Sequence, residues 1–490
     1  MNTQGLQAGK SLATGRFASG AVALAIALAS APLGQAFAQE QTSAEEAFAS
    51  SRHWASQIRS YASKSLNSDE ALSVAVIPLN GPGIEQYVNA DTLMSPGSIM
   101  KLVTTYAALE LLGPTHHWKT DFLTDGMMVG DSLEGNLYVR FGGDPKLTLE
   151  RLWSTLRELR SMGINRIEGD LVLDGSYFRV DGGFPTFEDN GDNPHAPFLV
   201  EPSGYLTNLN LLHFQVRADE RGTQAWTTPD LGEVSIDNRV TALPEGPCPA
   251  RSRFDWEPVF HENHQVTVRV TGQLPQGCRS TTYLSLLPHE RYSASVIRSV
   301  LSEMGIIVSG GDRFEGTPED ARLIMRTTSP DLVSMVRDIN KWSSNVMARQ
   351  MLLTIGAEFR KEDDKDDRVA GIRTVYEWLE NMGINTAGMV IDNGAGLTRH
   401  GRITARQGAQ ILQQAWDSPY ASDLMASMPI IAMDGTMARR LRNTGMDGEG
   451  RIKTGYLENV RSIAGFTRDD NNTTWAIVGM VNNDPAWNGQ

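Results

Sequence analysis

Cysteine is almost missing from these 490 residues: Cys248 and Cys278 are the only two. That excludes a Cys-based zinc knuckle or iron–sulfur site, each of which needs about four ligands. A surplus of positive charge is missing as well. Lys plus Arg number 44 against 58 Asp plus Glu, giving −14, the wrong sign for a general nucleic-acid binder that must meet phosphates. No His-Glu-x-x-His spacing occurs. His116-His117 and His261-Glu262-Asn263-His264 both miss it and read as solvated loop histidines. Gly142-Gly143-Asp144-Pro145 is a glycine turn without the Lys-Ser/Thr of a phosphate loop. No metal and no cofactor is therefore expected. Forty per cent hydrophobic residues suffice for a packed core, so wholesale disorder is excluded.

Long apolar runs are confined to the N-terminus. Lys10 and Arg16 precede the run AVALAIALA at 21–29, and Ala36-Phe37-Ala38 follows as a small-residue cleavage signal. The run is short for a membrane helix of about 20 residues, which disfavours an uncleaved anchor. Residues 1–38 read as a signal peptide cut after Ala38, and no later segment could span a bilayer. An exported, periplasmic protein is expected. Its oxidising surroundings let Cys248 and Cys278 pair.

The chain changes texture twice. Ser73–Leu79 and Ile84–Val88 are β-rich runs, and a helix is expected from Ser95-Pro96, as cap and first position, to Gly113-Pro114. From about 120 to 324, short strand-like runs such as Leu171–Leu173 and Val266–Val270 dominate, with a long aperiodic loop over Gly182–Gly204. Helices return after a Ser329-Pro330 cap and again after a turn at Ser343-Ser344-Asn345, followed by a charged, solvated loop over Arg360–Arg368. An extended Arg451–Gly455 precedes a hairpin of Ser462–Arg468 and Thr473–Val481 around Asp469–Asn472. Met-Gly-Ile recurs at 162–164, 304–306 and 382–384 at unequal spacing, so it reads as a helix-ending glycine rather than a repeat array.

Three short patterns carry chemistry. Ser98 and Lys101 lie three apart at a helix start, on one face and within hydrogen-bonding reach. Serine is a poor nucleophile until a base takes its proton, and a neutral lysine amine can be that base. Lowering a lysine from about 10.4 to about 8 requires roughly 3 kcal/mol, which partial burial and a second cation can supply. Ser-x-x-Lys occurs only here. Ser343-Ser344-Asn345 is a Ser-x-Asn at an interhelical turn; Ser65-Leu66-Asn67 has the same pattern but precedes Ser98. Lys453-Thr454-Gly455 occurs once, on an extended segment whose edge can align a peptide, with Lys453 as a fixed cation and Gly455 clearing space for the substrate. In this order the three form a strong set.

With these motifs in place, the chain resembles the penicillin-binding D-alanyl-D-alanine carboxypeptidase/endopeptidase family of the penicillin-binding protein 4 (DacB) type, peptidase family S13. The likeness extends over PGSIMKLVTTYAALELLGP (96–114), INKWSSNVMARQMLLTIG (339–356), DNGAGLTRHGRITA (392–405), MPIIAMDGTMARRL (428–441) and GRIKTGYLENVRSIAGF (450–466). It implies an α/β (α+β) architecture: a transpeptidase/β-lactamase-like domain over 39–120 and 325–490, with an antiparallel sheet flanked by helices, interrupted by a mostly β insertion over 121–324. It further implies that Ser98 forms an acyl-enzyme, Lys101 takes its proton, Ser343 relays a proton to the leaving amine, and Lys453 holds Ser343 and tunes Lys101. Asn345 would bind the substrate amide, Thr454 the terminal carboxylate, and the N–H groups of Ser98 and Tyr456 the oxyanion. The implied ligands are peptidoglycan peptides ending in D-Ala-D-Ala, crosslinked stem peptides and β-lactams. Ser344 stands where the family usually has Asp, and Tyr456 where a small hydroxyl residue is common. The chain ends soon after its last strand, where the family usually continues into a helix. A serine β-lactamase and a non-catalytic wall-binding protein are the rival readings.

Overall fold

The computed structural model describes residues 44–483 apart from 67, 69, 82, 185–186, 188–193 and 250–253. The expected signal segment, the last seven residues and part of the expected 182–204 loop lie outside the described residues. Two compact units are present. One combines the described residues up to Ala107 with Val336–Ser343 and residues from Val375 onward; the other combines Ala108–Met335 with Ser344–Thr374.

The first unit is built on a five-stranded antiparallel sheet. Strands β1 (Leu72–Pro78) and β2 (Gln86–Val88) come from the N-terminal part, and β3 (Gly450–Leu457), β4 (Val460–Arg468) and β5 (Thr474–Asn482) from the C-terminal part. Their order is β3-β4-β5-β1-β2. Ala75 lies opposite Val478, so the two ends of the chain meet at the sheet centre. β1 and β5 are buried along nearly their whole length, which explains their almost unbroken apolar sequences. Helix α1 (Ala44–Leu66) covers one face through Trp54, Ile58, Ala62 and Leu66, spaced by four as one helical stripe demands. The helix Ala405–Asp417 packs on β1 and β5, where Gly408 lets it approach Val478 closely. The β4–β5 turn is tied by Asp469, whose Oδ1 accepts the N–H groups of Asn471 and Thr473 and whose Oδ2 accepts the Trp475 indole N–H at 3.0 Å.

The second unit is mostly β. Its largest sheet runs, in spatial order, 312–314, 171–174, 137–141, 119–124 and 322–328; three smaller sheets and the helices Leu149–Ser161 and His289–Glu303 complete it. Cys248 and Cys278 are disulfide-bonded. The helix Asn345–Glu358 belongs to this unit rather than to the one anticipated for everything after 325. It is buried all round from Val346 to Gly356. Gln350 donates to the carbonyls of Gly143 and Ser203, and Trp118 donates to Thr354 Oγ1 at 3.0 Å. Those bonds explain why 344–374 groups with strands of the central segment.

Three local expectations change. Ser95 is no cap: a single 3-10 turn, Gly97–Ile99, precedes helix α2 (Met100–Leu111), and the Ser95 backbone is instead clamped by both amide atoms of Asn482. Asp331, not Ser329, caps the helix Leu332–Trp342, because Ser329 Oγ is taken by the Trp118 N–H and the Pro330 carbonyl. The 360–368 stretch is anchored, since Asp367 is fully buried and accepts Arg360 at 2.7 and 2.8 Å and the Arg179 N–H at 2.7 Å. The three Met-Gly-Ile sites do end helices: Gly163, Gly305 and Gly383 have positive φ, and the isoleucine after each is buried.

Candidate active site

The turn before α2 sets Ser98 over Lys101. Ser98 lies in the 3-10 turn and Lys101 in the first turn of α2, so their side chains share one face. Lys101 is fully buried, and its Nζ lies 2.9 Å from Ser98 Oγ and 2.6 Å from the Ala395 carbonyl. Thr104 donates to the Gly394 carbonyl at 2.7 Å, while Asn393 bridges its own loop by donating to Leu397 O and accepting from Ala395 N–H. Gly396 completes this loop at φ +72°; a β carbon there would sit 1.9 Å from the Gly97 carbonyl. The 393–397 loop therefore packs directly under the Ser98 turn and points a carbonyl at the lysine amine.

Strand β3 brings the second lysine. Lys453 is fully buried and donates from Nζ to Ser343 Oγ and to the Thr454 carbonyl, both at 2.8 Å. Burial pushes its pKa down to about 7, and the nearby Arg440 guanidinium pushes in the same direction. The expectation of a fixed cation needs revision: removed from water, this amine gives up its proton around neutrality. Ser343 is held at φ 58°, a conformation that costs a non-glycine residue about 1 kcal/mol or more and recurs at functional sites.

Gly455 has a different reason from the one its sequence suggested. A β carbon there would lie 2.1 Å from Ser462 Oγ, 2.8 Å from the Pro96 carbonyl and 2.9 Å from the Ser98 nitrogen. The glycine lets β3 press against the Ser98 turn rather than clearing space for a ligand. β3 is also the sheet's outer strand. Ile452 N–H donates outward to Pro429 O, and Gly450 O accepts outward from Ile431. By strand alternation the backbone groups of Thr454 and Tyr456 face off the same edge. The Tyr456 nitrogen lies near Gly97, 3.5 Å from where a Gly97 β carbon would be. The Tyr456 ring is 63% exposed and sits under Arg461, 3.8 Å from its centroid.

One loop escaped the sequence reading. Asp434 accepts Lys341 Nζ at 2.6 Å, two residues before Ser343, and Thr436 Oγ1 lies 2.8 Å from Thr454 Oγ1. Asp434-Gly435-Thr436 thus grips both the helix leading to Ser343 and the strand carrying Lys453. Asn340, fully buried, donates to Thr105 Oγ1 and Ser427 Oγ, and Thr105 in turn donates to the Lys101 carbonyl. The quoted segments 392–405 and 428–441 contain both loops, but a short polar loop between helices carries no periodic signal of its task. Ser98, Lys101, Ser343, Lys453, Thr454, Gly455 and Tyr456 all belong to the first unit. Asn345 belongs to the second, where it opens its helix behind the Ser344 N-cap and donates to the Phe198 carbonyl at 2.9 Å. The capping task needs only a side-chain oxygen, so Ser344 fills it as well as Asp would.

A serine hydroxyl on a buried amine, a second serine–lysine pair and an open strand edge, on an antiparallel sheet made from both ends of the fold, form a constellation suited to serine acyl transfer. Residues 58–489 match the D-Ala-D-Ala carboxypeptidase 3 (S13) family, and the chain belongs to that family. It is 29% identical over 444 residues to a D-alanyl-D-alanine carboxypeptidase of Actinomadura sp. (strain R39), covering 85% of this chain and 79% of that one. It is 25% identical over 409 residues to the D-alanyl-D-alanine carboxypeptidase DacB of Haemophilus influenzae, covering 80% and 81%. The crystal structure of penicillin binding protein 4 (dacB) from Haemophilus influenzae shares the fold, with a TM-score of 0.70 at 24% identity over 84% of this chain and 90% of that one. The same protein complexed with a β-lactam gives 0.66 at 25% identity, over 84% and 89%.

Proposed function

We propose that this S13-family chain is an exported serine D-alanyl-D-alanine carboxypeptidase that also cuts D,D-crosslinks, working through an acyl-enzyme on Ser98. The observation that carries this reading is the buried Lys101 amine 2.9 Å from Ser98 Oγ. As Ser98 Oγ bonds to the carbonyl carbon of the penultimate D-alanine, its proton passes to the neutral Lys101 amine. The oxyanion is received by the N–H groups of Ser98 and Tyr456; one such donor is commonly worth about 10²–10³ in rate. The C–N bond then breaks, and the leaving amine takes, through Ser343 held by Lys453, the proton that Lys101 received, which leaves the Lys101 amine neutral again. Asn345 aligns the substrate amide, and Thr454 holds the terminal carboxylate. Water next attacks the ester, and the neutral Lys101 takes its proton and passes it to Ser98 Oγ as the acyl C–O bond breaks. A β-lactam acylates Ser98 in the same way, its ring C–N bond breaking.

Residues 39–120 with 325–490 serve as the catalytic region in this reading, and 121–324 as an inserted β-rich region. The N-terminal signal pattern supports a periplasmic site of action on peptidoglycan, after cleavage behind Ala38. Incubation of the mature protein with a pentapeptide ending in D-Ala-D-Ala should release D-alanine, and labelled penicillin should leave a lasting adduct; Ser98→Ala should do neither. Rapid penicillin turnover would instead indicate a β-lactamase. Absence of both release and adduct in the wild type would leave only a wall-binding role.

A further inference from the structure

We infer that Asp434 is a positioning residue for the leaving-group step: acting through Lys341, it holds the Ser343 hydroxyl where it hands a proton to the departing amine. This role rests on the Ser98 acyl-enzyme proposed above. Ser343 occupies a φ of 58°, which a serine holds only where its surroundings impose it. Trp342, just before it, is 71% exposed and supplies little packing. The anchored residue ahead of Ser343 is Lys341. Its side chain is buried, with Nζ 2.6 Å from Asp434 Oδ2. Its carbonyl is fixed as well: Gly435 sits at φ +53°, and a β carbon there would lie 2.6 Å from Lys341 O, an approach that only glycine permits.

Asp434 is itself braced, since its Oδ1 accepts the Ile430 N–H at 2.6 Å. Burial pulls its pKa up, but the bonds from Lys341 and the Ile430 N–H, with the charges of Lys341 and Arg451, outweigh burial and hold the carboxyl below its ordinary value. The carboxylate therefore stays ionised at neutral pH. The same turn reaches the other partner of Ser343. Thr436 Oγ1 lies 2.8 Å from the hydroxyl of Thr454, the residue after Lys453, and Lys453 Nζ donates to Ser343 Oγ at 2.8 Å. Asp434-Gly435-Thr436 thus ties both members of a pair that stands 110 positions apart in the chain. The bond from Lys453 occupies one lone pair of Ser343 Oγ. One lone pair and the hydrogen remain. As the C–N bond breaks, the leaving nitrogen takes that hydrogen while Oγ receives the proton that Lys101 holds. A displacement of about 1 Å commonly costs about 10² in such a step. A merely stabilising ion pair would affect every substrate alike; a positioning role affects those whose leaving group needs a proton.

The test compares an acylated D-alanyl-D-alanine peptide with the thiolester in which D-thiolactate replaces its last D-alanine. Both carry the same terminal carboxylate, so a disturbed Thr454 would slow both, but the thiolate departs with its electron pair and needs no proton. In Asp434→Asn, kcat/KM should fall about a hundredfold for the peptide and by no more than about twofold for the thiolester. Lys341→Met should do the same, and the double variant should lose no more than either alone, because the two side chains act as one unit. Equal losses on both substrates, no loss on the peptide, or losses that multiply in the double variant would overturn the role. A wild type that turns over the thiolester and not the peptide would overturn it too. If Asp434→Asn does not fold by circular dichroism, Lys341→Met carries the same comparison. A wild type inert to both substrates and to penicillin would refute the Ser98 reading itself; a wild type active on both, with equal losses in the variants, would refute only the part given to Asp434.

Discussion

Replacing Lys453 by methionine should stabilise the protein at acid pH while abolishing its chemistry. In the folded chain Lys453 titrates at about 7, against 10.5 for a free lysine. The unfolded chain therefore binds more protons between those two values, and wild-type stability rises with pH across that window. Below pH 7 the full cost of burying the charge is present, about 5 kcal/mol for a difference of this size; above 10.5 it is gone. Methionine has similar length and no charge, so Lys453→Met removes that cost. It also loses two hydrogen bonds, to Ser343 Oγ and Thr454 O, at about 1 kcal/mol each. The balance is a gain of about 3 kcal/mol at pH 6, shrinking to nothing near about pH 9 and turning into a small loss beyond it. Urea unfolding of both proteins at pH 6, 8 and 10 measures this directly, and penicillin labelling of the variant should be lost. A variant less stable than wild type at pH 6, or a difference that does not move with pH, would refute the reasoning that burial sets the charge of Lys453.

Other perturbations follow from the same geometry. Thr436→Val removes the hydroxyl beside Thr454; kcat/KM should fall about tenfold for peptides with a free C-terminal carboxylate and hardly at all for their C-terminal amides, and equal losses on both would reject a carboxylate role. Gly455→Ala drives a methyl group into the Ser98 turn, so penicillin acylation should slow by about a hundredfold or more in protein that still folds by circular dichroism. Arg360→Ala leaves the fully buried Asp367 without its ion pair and should cost about 3–5 kcal/mol in urea unfolding, with penicillin labelling of the folded fraction intact.

The sequence by itself determined the pairing of Ser98 with Lys101 and the order of the three motifs, because each is a short local pattern whose spacing already dictates geometry. Ser98 and Lys101 sit on one helical turn, and three residues of spacing are enough to bring them together. The same holds for the β-rich ends and for the glycines that stop three helices. Only the tertiary structure decided what distance in the chain hides. It joined Lys453 to Ser343 across 110 positions, set the Ala395 carbonyl against Lys101, and put Asp434 and Thr436 between helix and strand. It also reassigned Gly455 from ligand clearance to strand packing, and turned Lys453 from a fixed cation into a group that titrates near neutrality. Burial is a property of everything packed around a residue, so no window of sequence contains the charge state of a buried amine.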